Sequence, residues 1–247
     1  MGFFYGAGMQ PNERLIVALD SGTLEGCARL ADQLSDLHLT YKVGLRGLTR
    51  FGFDGIERLK KTGGALFLDY KLHDIPSTVA GGVEGASLLF PKFITVHASG
   101  GREMLIAASE AARRVEANDS TNYRPKLLGV TLLTSIDRPA FNEIGFTGEP
   151  RDLVIKLTGI CIDSGIDGVV CSGEEVAEIK SKYGDKIFTV VPGIRPSGID
   201  SHDQKRVLTP GEAISRGADF LVVGRPIYAS ENPRKAAEDI LSEIENS

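Results

Sequence analysis

Short apolar runs alternate along the chain with longer stretches in which apolar residues recur three and four positions apart. The first run covers residues 15–20 and ends in Asp20, after which Leu24, Cys27, Ala28, Ala31 and Leu34 mark one face of a helix. That spacing gathers side chains into one helical stripe, whereas a few apolar residues in succession fit a strand buried on both faces. The pair recurs seven more times. Runs at 41–44, from 66, and at 93–97, 126–133, 168–171, 187–191 and 220–223 precede helical stretches at 48–61, 76–89, 102–116, 151–164, 174–183, 210–216 and 232–244. Eight strands alternating with eight helices predict an α/β fold, a single-domain (β/α)8 TIM barrel. A doubly wound sheet needs fewer strands and a glycine-rich turn after the first, but here that strand runs into Asp20-Ser-Gly.

Composition narrows the picture. At 247 residues with 42% hydrophobic and 25% charged content, the chain can bury one barrel-sized core. The barrel is expected over residues 11–247. Residues 1–10 are apolar but lack a basic start and a cleavage pattern, so they are expected to be a tail outside the fold. A net charge of -5, from 28 basic and 33 acidic residues, argues against a general nucleic-acid or membrane-surface partner. No apolar run reaches the length of a membrane span. Cys27, Cys161 and Cys171 are scattered without C-x-x-C spacing and read as buried hydrophobes in a reducing compartment, with the cytoplasm as the default location.

Chemistry concentrates where the strands end. In a barrel the C-terminal ends of the strands meet at one mouth. The third run, Leu66-Phe-Leu-Asp69-Tyr-Lys71-Leu-His73-Asp74-Ile75-Pro76, carries charge at its end. Residues two apart on a strand share a face, so Asp69 and Lys71 point the same way, Asp74 falls on the following loop, and Pro76 fits a helix start. Asp20 and Lys42 end the first and second strands, giving three carboxylates and two ammoniums at one mouth. Charges there are costly unless paired, and an alternating network satisfies that condition without a metal. A purely structural salt-bridge cluster is the alternative. His73 and His97 have packing or orienting roles as an equal alternative to ligand contact.

A second address lies at the end of strand eight. Gly224-Arg225-Pro follows it directly, and the connection after strand seven supplies Pro192-Gly-Ile-Arg195 and then Gln204. Backbone amides freed by glycine, joined by a guanidinium, suit a phosphate at this position in such barrels, with carbonyl capping at the surface by either arginine as the alternative. The connections 134–150 and 192–209 are long enough to act as lids or binding loops.

Taken together, Asp69-Tyr-Lys71-Leu-His-Asp74-Ile75-Pro76-Ser-Thr78, Val96-His-Ala-Ser-Gly100, Pro192-Gly-Ile-Arg195-Pro, Asp203-Gln204-Lys-Arg and Val223-Gly-Arg225-Pro-Ile-Tyr resemble the orotidine 5'-monophosphate decarboxylases of bacterial and archaeal type. The resemblance runs from about Leu15 to the C-terminus. It implies a carboxy-lyase that converts orotidine 5'-monophosphate to UMP and CO2, the last step of de novo UMP synthesis. Lys71 would be the proton donor to C6, with Asp69 against the substrate carboxylate. Asp20 and Lys42 would hold ribose hydroxyls, Lys42 also pairing with Asp69. Asp74 would reach into the neighbouring subunit's site, making the enzyme a homodimer with shared active sites, with Ile75 and Thr78 also on the ligand. Thr134 would contact the pyrimidine, and Arg195, Gln204, Gly224 and Arg225 the phosphate and its closing loop. No cofactor is implied. Asp69 and Asp74 could share a Mg2+ ion as in related decarboxylases, but Lys71 between them argues against a metal. The alternatives are a metal-dependent sugar-phosphate decarboxylase or aldolase of the same barrel group, and a catalytically silent barrel that senses a nucleotide.

Overall fold

The computed structural model describes residues 8–196 and 208–247. Eight parallel strands close into a barrel in sequence order: β1 (Leu15–Ala18), β2 (Thr40–Gly44), β3 (Ala65–Leu72), β4 (Phe93–His97), β5 (Lys126–Val130), β6 (Gly168–Val170), β7 (Phe188–Val191) and β8 (Phe220–Val223). Pairing of β1 with β8 removes both sheet edges. The outer ring consists of α2 (Leu24–Gln33), α3 (Leu45–Lys60), α4 (Pro76–Ser87), α5 (Gly101–Asn118), α7 (Pro150–Asp163), α8 (Val176–Tyr183), α9 (Pro210–Ser215) and α11 (Pro233–Glu245). The TIM barrel expected from the apolar periodicity is the fold of the chain.

Local sequence explains where these helices start. Helices α4, α7, α9 and α11 each open on a proline, whose fixed φ suits a first turn and whose missing N–H costs nothing there. Thr23 accepts a hydrogen bond from the Gly26 amide at the start of α2, and Asn232 accepts one from the Lys235 amide at the start of α11. The sheet's outer face and the helices share a core that includes Val17, Ile94, Val96, Leu105, Ile179 and Ile240. Side chains of that kind each contribute roughly 1.5–3 kcal/mol on full burial.

Inside the barrel, Phe67, Phe93, Phe188 and Phe220 form an aromatic floor. Phe93 makes edge contacts with Phe67 and Phe220 at ring centroid distances of 5.6 and 5.2 Å. Beneath them the Lys92 ammonium lies 5.1 and 5.2 Å from the Phe93 and Phe220 rings, and burial lowers its pKa. The floor fills the lower barrel, so any ligand must enter from the opposite end.

Three further helices of a single turn or little more were not visible in the periodicity: α1 (Pro11–Arg14), α6 (Arg138–Glu143) and α10 (Arg225–Tyr228). An amphipathic stripe needs at least two turns to show, and α1 and α6 are held by caps instead. Asp137 caps α6 through the Ala140 amide, and Gln10 with Glu13 forms a capping box on α1. Met9 packs against the inner barrel core. The expected tail of residues 1–10 thus meets the fold at its last two positions, while residues 1–7 lie outside the described residues. The third helix, expected as one piece over 48–61, starts at Leu45 and breaks at Gly52, whose φ of 61° is left-handed. Strand five, expected to reach residue 133, stops at Val130.

Candidate active site

The central feature is a carboxylate held by two ammoniums. Asp69 on β3 lies 2.7 Å from the Lys71 Nζ through Oδ1 and 3.2 Å from the Lys42 Nζ through Oδ2. Register places these groups together, because Lys42 pairs with Phe67 across the β2–β3 ladder, two residues before Asp69 on the same inner face. The Asp69 side chain is 12% exposed and that of Lys71 36%, so the ammonium that faces the opening is the Lys71 one. Burial pushes the Asp69 pKa upward, but the Lys42 and Lys71 charges and their hydrogen bonds outweigh it. The carboxyl is held below its ordinary range.

Lys71 does not reach this position by simple strand alternation. Between the pairs Leu68–Ile94 and Leu72–Val96, β3 advances four residues while β4 advances two. Within that bulge Lys71 has a φ of 51°, a left-handed conformation that costs a side-chain-bearing residue about 1–3 kcal/mol. The Lys71 amide donates to Thr95 Oγ1 on β4 at 2.8 Å, and the Thr95 hydroxyl donates to Asp69 Oδ1 at 3.1 Å.

Two cavities meet over this group. One, of about 150 Å³, has walls from Phe67, Val130, Leu132, Val170 and Val190, with Thr134 at its edge and Lys42, Asp69 and Lys71 on one side. The other, of about 270 Å³, is lined by Asp20, Arg195, Gly224, Arg225 and Tyr228. Lys42, Asp69, Pro192 and Val222 line both. An apolar slot thus opens through a charged junction into a chamber with two guanidinium-bearing residues. Gly224 precedes α10, and at this tip a Cβ would lie 3.5 Å from Ala18 and 3.6 Å from Tyr228.

The profile of the family described as "Orotidine 5'-phosphate decarboxylase / HUMPS family" matches residues 13–240. The chain belongs to this family. A protein named orotidine 5'-phosphate decarboxylase from Halorhodospira halophila is 46% identical over 231 residues, covering 94% of this chain and 95% of the relative. One of the same name from Gluconobacter oxydans is 42% identical over 236 residues, covering 96% and 99%. Among solved structures, orotidine 5'-phosphate decarboxylase from Lactobacillus acidophilus superposes with a TM-score of 0.83 at 36% identity, covering 94% of this chain and 99% of that one.

Most residues expected on the family pattern converge. Lys42, Asp69, Lys71 and Thr134 line the apolar slot, and Asp20, Arg195, Gly224 and Arg225 line the second chamber. Gln204 lies outside the described residues. Of the five charges expected at the mouth, Asp20, Lys42, Asp69 and Lys71 line the two cavities; Asp74, on the loop past the end of β3 at Leu72, is exposed, and its carboxylate accepts the Ile75 amide at 2.7 Å. Asp74, Ile75 and Thr78 are exposed, Ile75 by 63%, and line neither cavity of their own chain.

His97 faces His73, with ring centroids 5.2 Å apart. Burial, then the His73 and Lys71 charges, lower the His97 pKa despite an opposing pull from Asp69. Cys171 lines the slot, but burial raises its thiol pKa, which leaves it a packing residue. Sequence reasoning missed the slot's apolar wall and Thr95. Inner and outer positions on a strand buried on both faces look alike in sequence.

Proposed function

We propose that this chain decarboxylates orotidine 5'-monophosphate to UMP and CO2, the last step of de novo UMP synthesis, without a metal or organic cofactor. The observation that carries this reading is the junction of an apolar slot and an arginine-bearing chamber over the Lys42–Asp69–Lys71 group. The slot suits a planar base and the chamber a ribose phosphate, which puts the base's reacting edge beside Lys71. In this reading Asp20 and Lys42 hold the ribose, Thr134 the pyrimidine, and Arg195, Gln204, Gly224 and Arg225 the phosphate.

The chemistry follows from the charges. When the C6–carboxylate bond breaks, its electron pair stays on C6 in the ring plane, where the π system cannot delocalise it. The Lys71 ammonium faces that pair, stabilises it, and then transfers a proton to C6. The resulting amine regains a proton from solvent. Repulsion between Asp69 and the substrate carboxylate at about 4 Å and an effective dielectric of about 20 is worth roughly 4 kcal/mol. Enzymes supply roughly 8–23 kcal/mol, so fixed positive charge at the carbanion is the larger contribution. A prebuilt Lys42–Asp69–Lys71 array supports this, since its dipoles need no reorganisation during the reaction.

The exposed Asp74, Ile75 and Thr78, at the turn into α4, are assigned to the site of a second copy in a homodimer with shared active sites. Their position outside their own chain's cavities supports that assignment. Asp69 is already taken up by the Lys42 and Lys71 ammoniums, which favours charge stabilisation by the lysines over a metal at this carboxylate. No helix among the described residues is long and apolar enough to cross a membrane, and the three cysteines are free and buried, which fits the reducing cytoplasm.

The test follows the ultraviolet absorbance of orotidylate with purified protein in EDTA. Loss of the substrate band with formation of UMP is the expected result. Turnover that EDTA abolishes would move the assignment to a metal-dependent sugar-phosphate decarboxylase, and nucleotide binding without turnover to a sensing barrel.

A further inference from the structure

Thr95 is fully buried on β4, in the gap left where β3 slips its register. The Lys71 amide falls inside that gap, and Thr95 Oγ1 receives its N–H at 2.8 Å. The same hydroxyl gives its own proton to Asp69 Oδ1 at 3.1 Å. An amide can only donate and a carboxylate can only accept, so the hydroxyl has one orientation that serves both. Because Asp69 Oδ1 also accepts the Lys71 Nζ at 2.7 Å, a closed loop runs from the Lys71 backbone through Thr95 and Asp69 to the Lys71 ammonium.

We infer that Thr95 is a positioning residue for decarboxylation. By tying the strained Lys71 backbone and the tip of its side chain to one oxygen of Asp69, it fixes the ammonium that faces the reacting carbon. The inference rests on the assignment of Lys71 and Asp69 as the reacting pair. Thr95 itself lines neither cavity and touches no substrate in this arrangement. Its effect belongs in the chemical step and not in binding, because small displacements of a reacting group reduce turnover while ground-state contacts persist.

Thr95→Val keeps the branched shape and removes the hydroxyl; Thr95→Ser keeps the hydroxyl and removes a methyl. With Thr95→Val, kcat is expected to fall roughly 10- to 100-fold, as for the loss of a hydrogen bond to a charged group. The Kd for UMP is expected to stay within about threefold of the parent, and Thr95→Ser to recover kcat to within about threefold. Thermal melting accompanies each assay, and Thr95→Ala replaces Thr95→Val if the latter does not fold. Parental kcat in Thr95→Val overturns the inference. So does an equal loss in the Val and Ser variants, or a fall in kcat matched by a fall in UMP affinity, since each points to packing alone. Lys71→Ala runs alongside: turnover in that variant overturns the reacting-pair assignment, whereas a dead Lys71→Ala beside a fully active Thr95→Val overturns only the role of Thr95.

Discussion

The Lys71 ammonium lies 2.7 Å from Asp69 Oδ1, two positions back on the same strand, although the strand slips against its neighbour between them. Lys71 lies within the register irregularity between Leu68 and Leu72 and takes a left-handed backbone there. The ion pair leaves Lys71 36% exposed, open to a ligand while anchored from behind.

Replacing that ammonium tests its assignment directly. Lys71→Ala removes both the charge and the proton source, so kcat is expected to fall at least roughly 10⁴-fold, combining general-acid and electrostatic contributions. Asp69 retains Lys42 at 3.2 Å, which keeps the buried carboxylate paired. UMP binding by calorimetry is therefore expected to persist. A variant with most of its turnover would refute the assignment.

Asp69→Asn has a pH signature. The folded-state pKa of Asp69 is depressed below its ordinary 3.8, so its stabilising contribution is present above 3.8 and is lost as the pH falls towards the lower folded value. Asn leaves two ammoniums together without their counter-charge. Urea unfolding is expected to show the variant less stable than the parent at neutral pH, with the difference shrinking below 3.8. A difference unchanged by acid would contradict this.

Arg225→Ala separates binding from chemistry. Arg225 lines the chamber assigned to the phosphate and does not line the apolar slot. Loss of a charge-assisted, bidentate contact is expected to raise KM roughly 10- to 100-fold. The fractional loss in kcat measured at saturating orotidylate should be smaller.

His97 supplies a stability change at milder pH. Burial and the neighbouring His73 and Lys71 hold its pKa below the ordinary 6.5. The unfolded chain takes up a proton near 6.5 that the folded chain refuses, so stability is greater above that pH and declines as it falls towards the folded value. His97→Gln, which cannot titrate, is expected to flatten the slope of unfolding free energy between about pH 7 and 5.

Different physical signals made different parts of the molecule legible. Eight apolar runs, each paired with a helical stripe, carry the barrel, because burying a strand on both faces demands uninterrupted apolar side chains. Charges at the ends of such runs identify Asp20, Lys42, Asp69 and Lys71, since burial makes charge there costly without a purpose. Asp74 follows the same local pattern yet turns outward, because its loop lets the Ile75 amide satisfy its carboxylate. Thr95 is silent in sequence, one polar residue inside an apolar strand. The one-turn helices α1, α6 and α10 are equally silent, being too short to express a period.

The alternation of strands and helices, the residue types at the strand ends and the glycine-arginine pair after the last strand are all legible along the chain, because they depend on local periodicity and the cost of burying charge. Tertiary structure alone decided that β3 slips against β4, that Thr95 fills the gap, and that slot and chamber meet over Asp69. Those relations join residues distant in the chain. Their geometry is set by barrel closure and interstrand register, which no local pattern encodes.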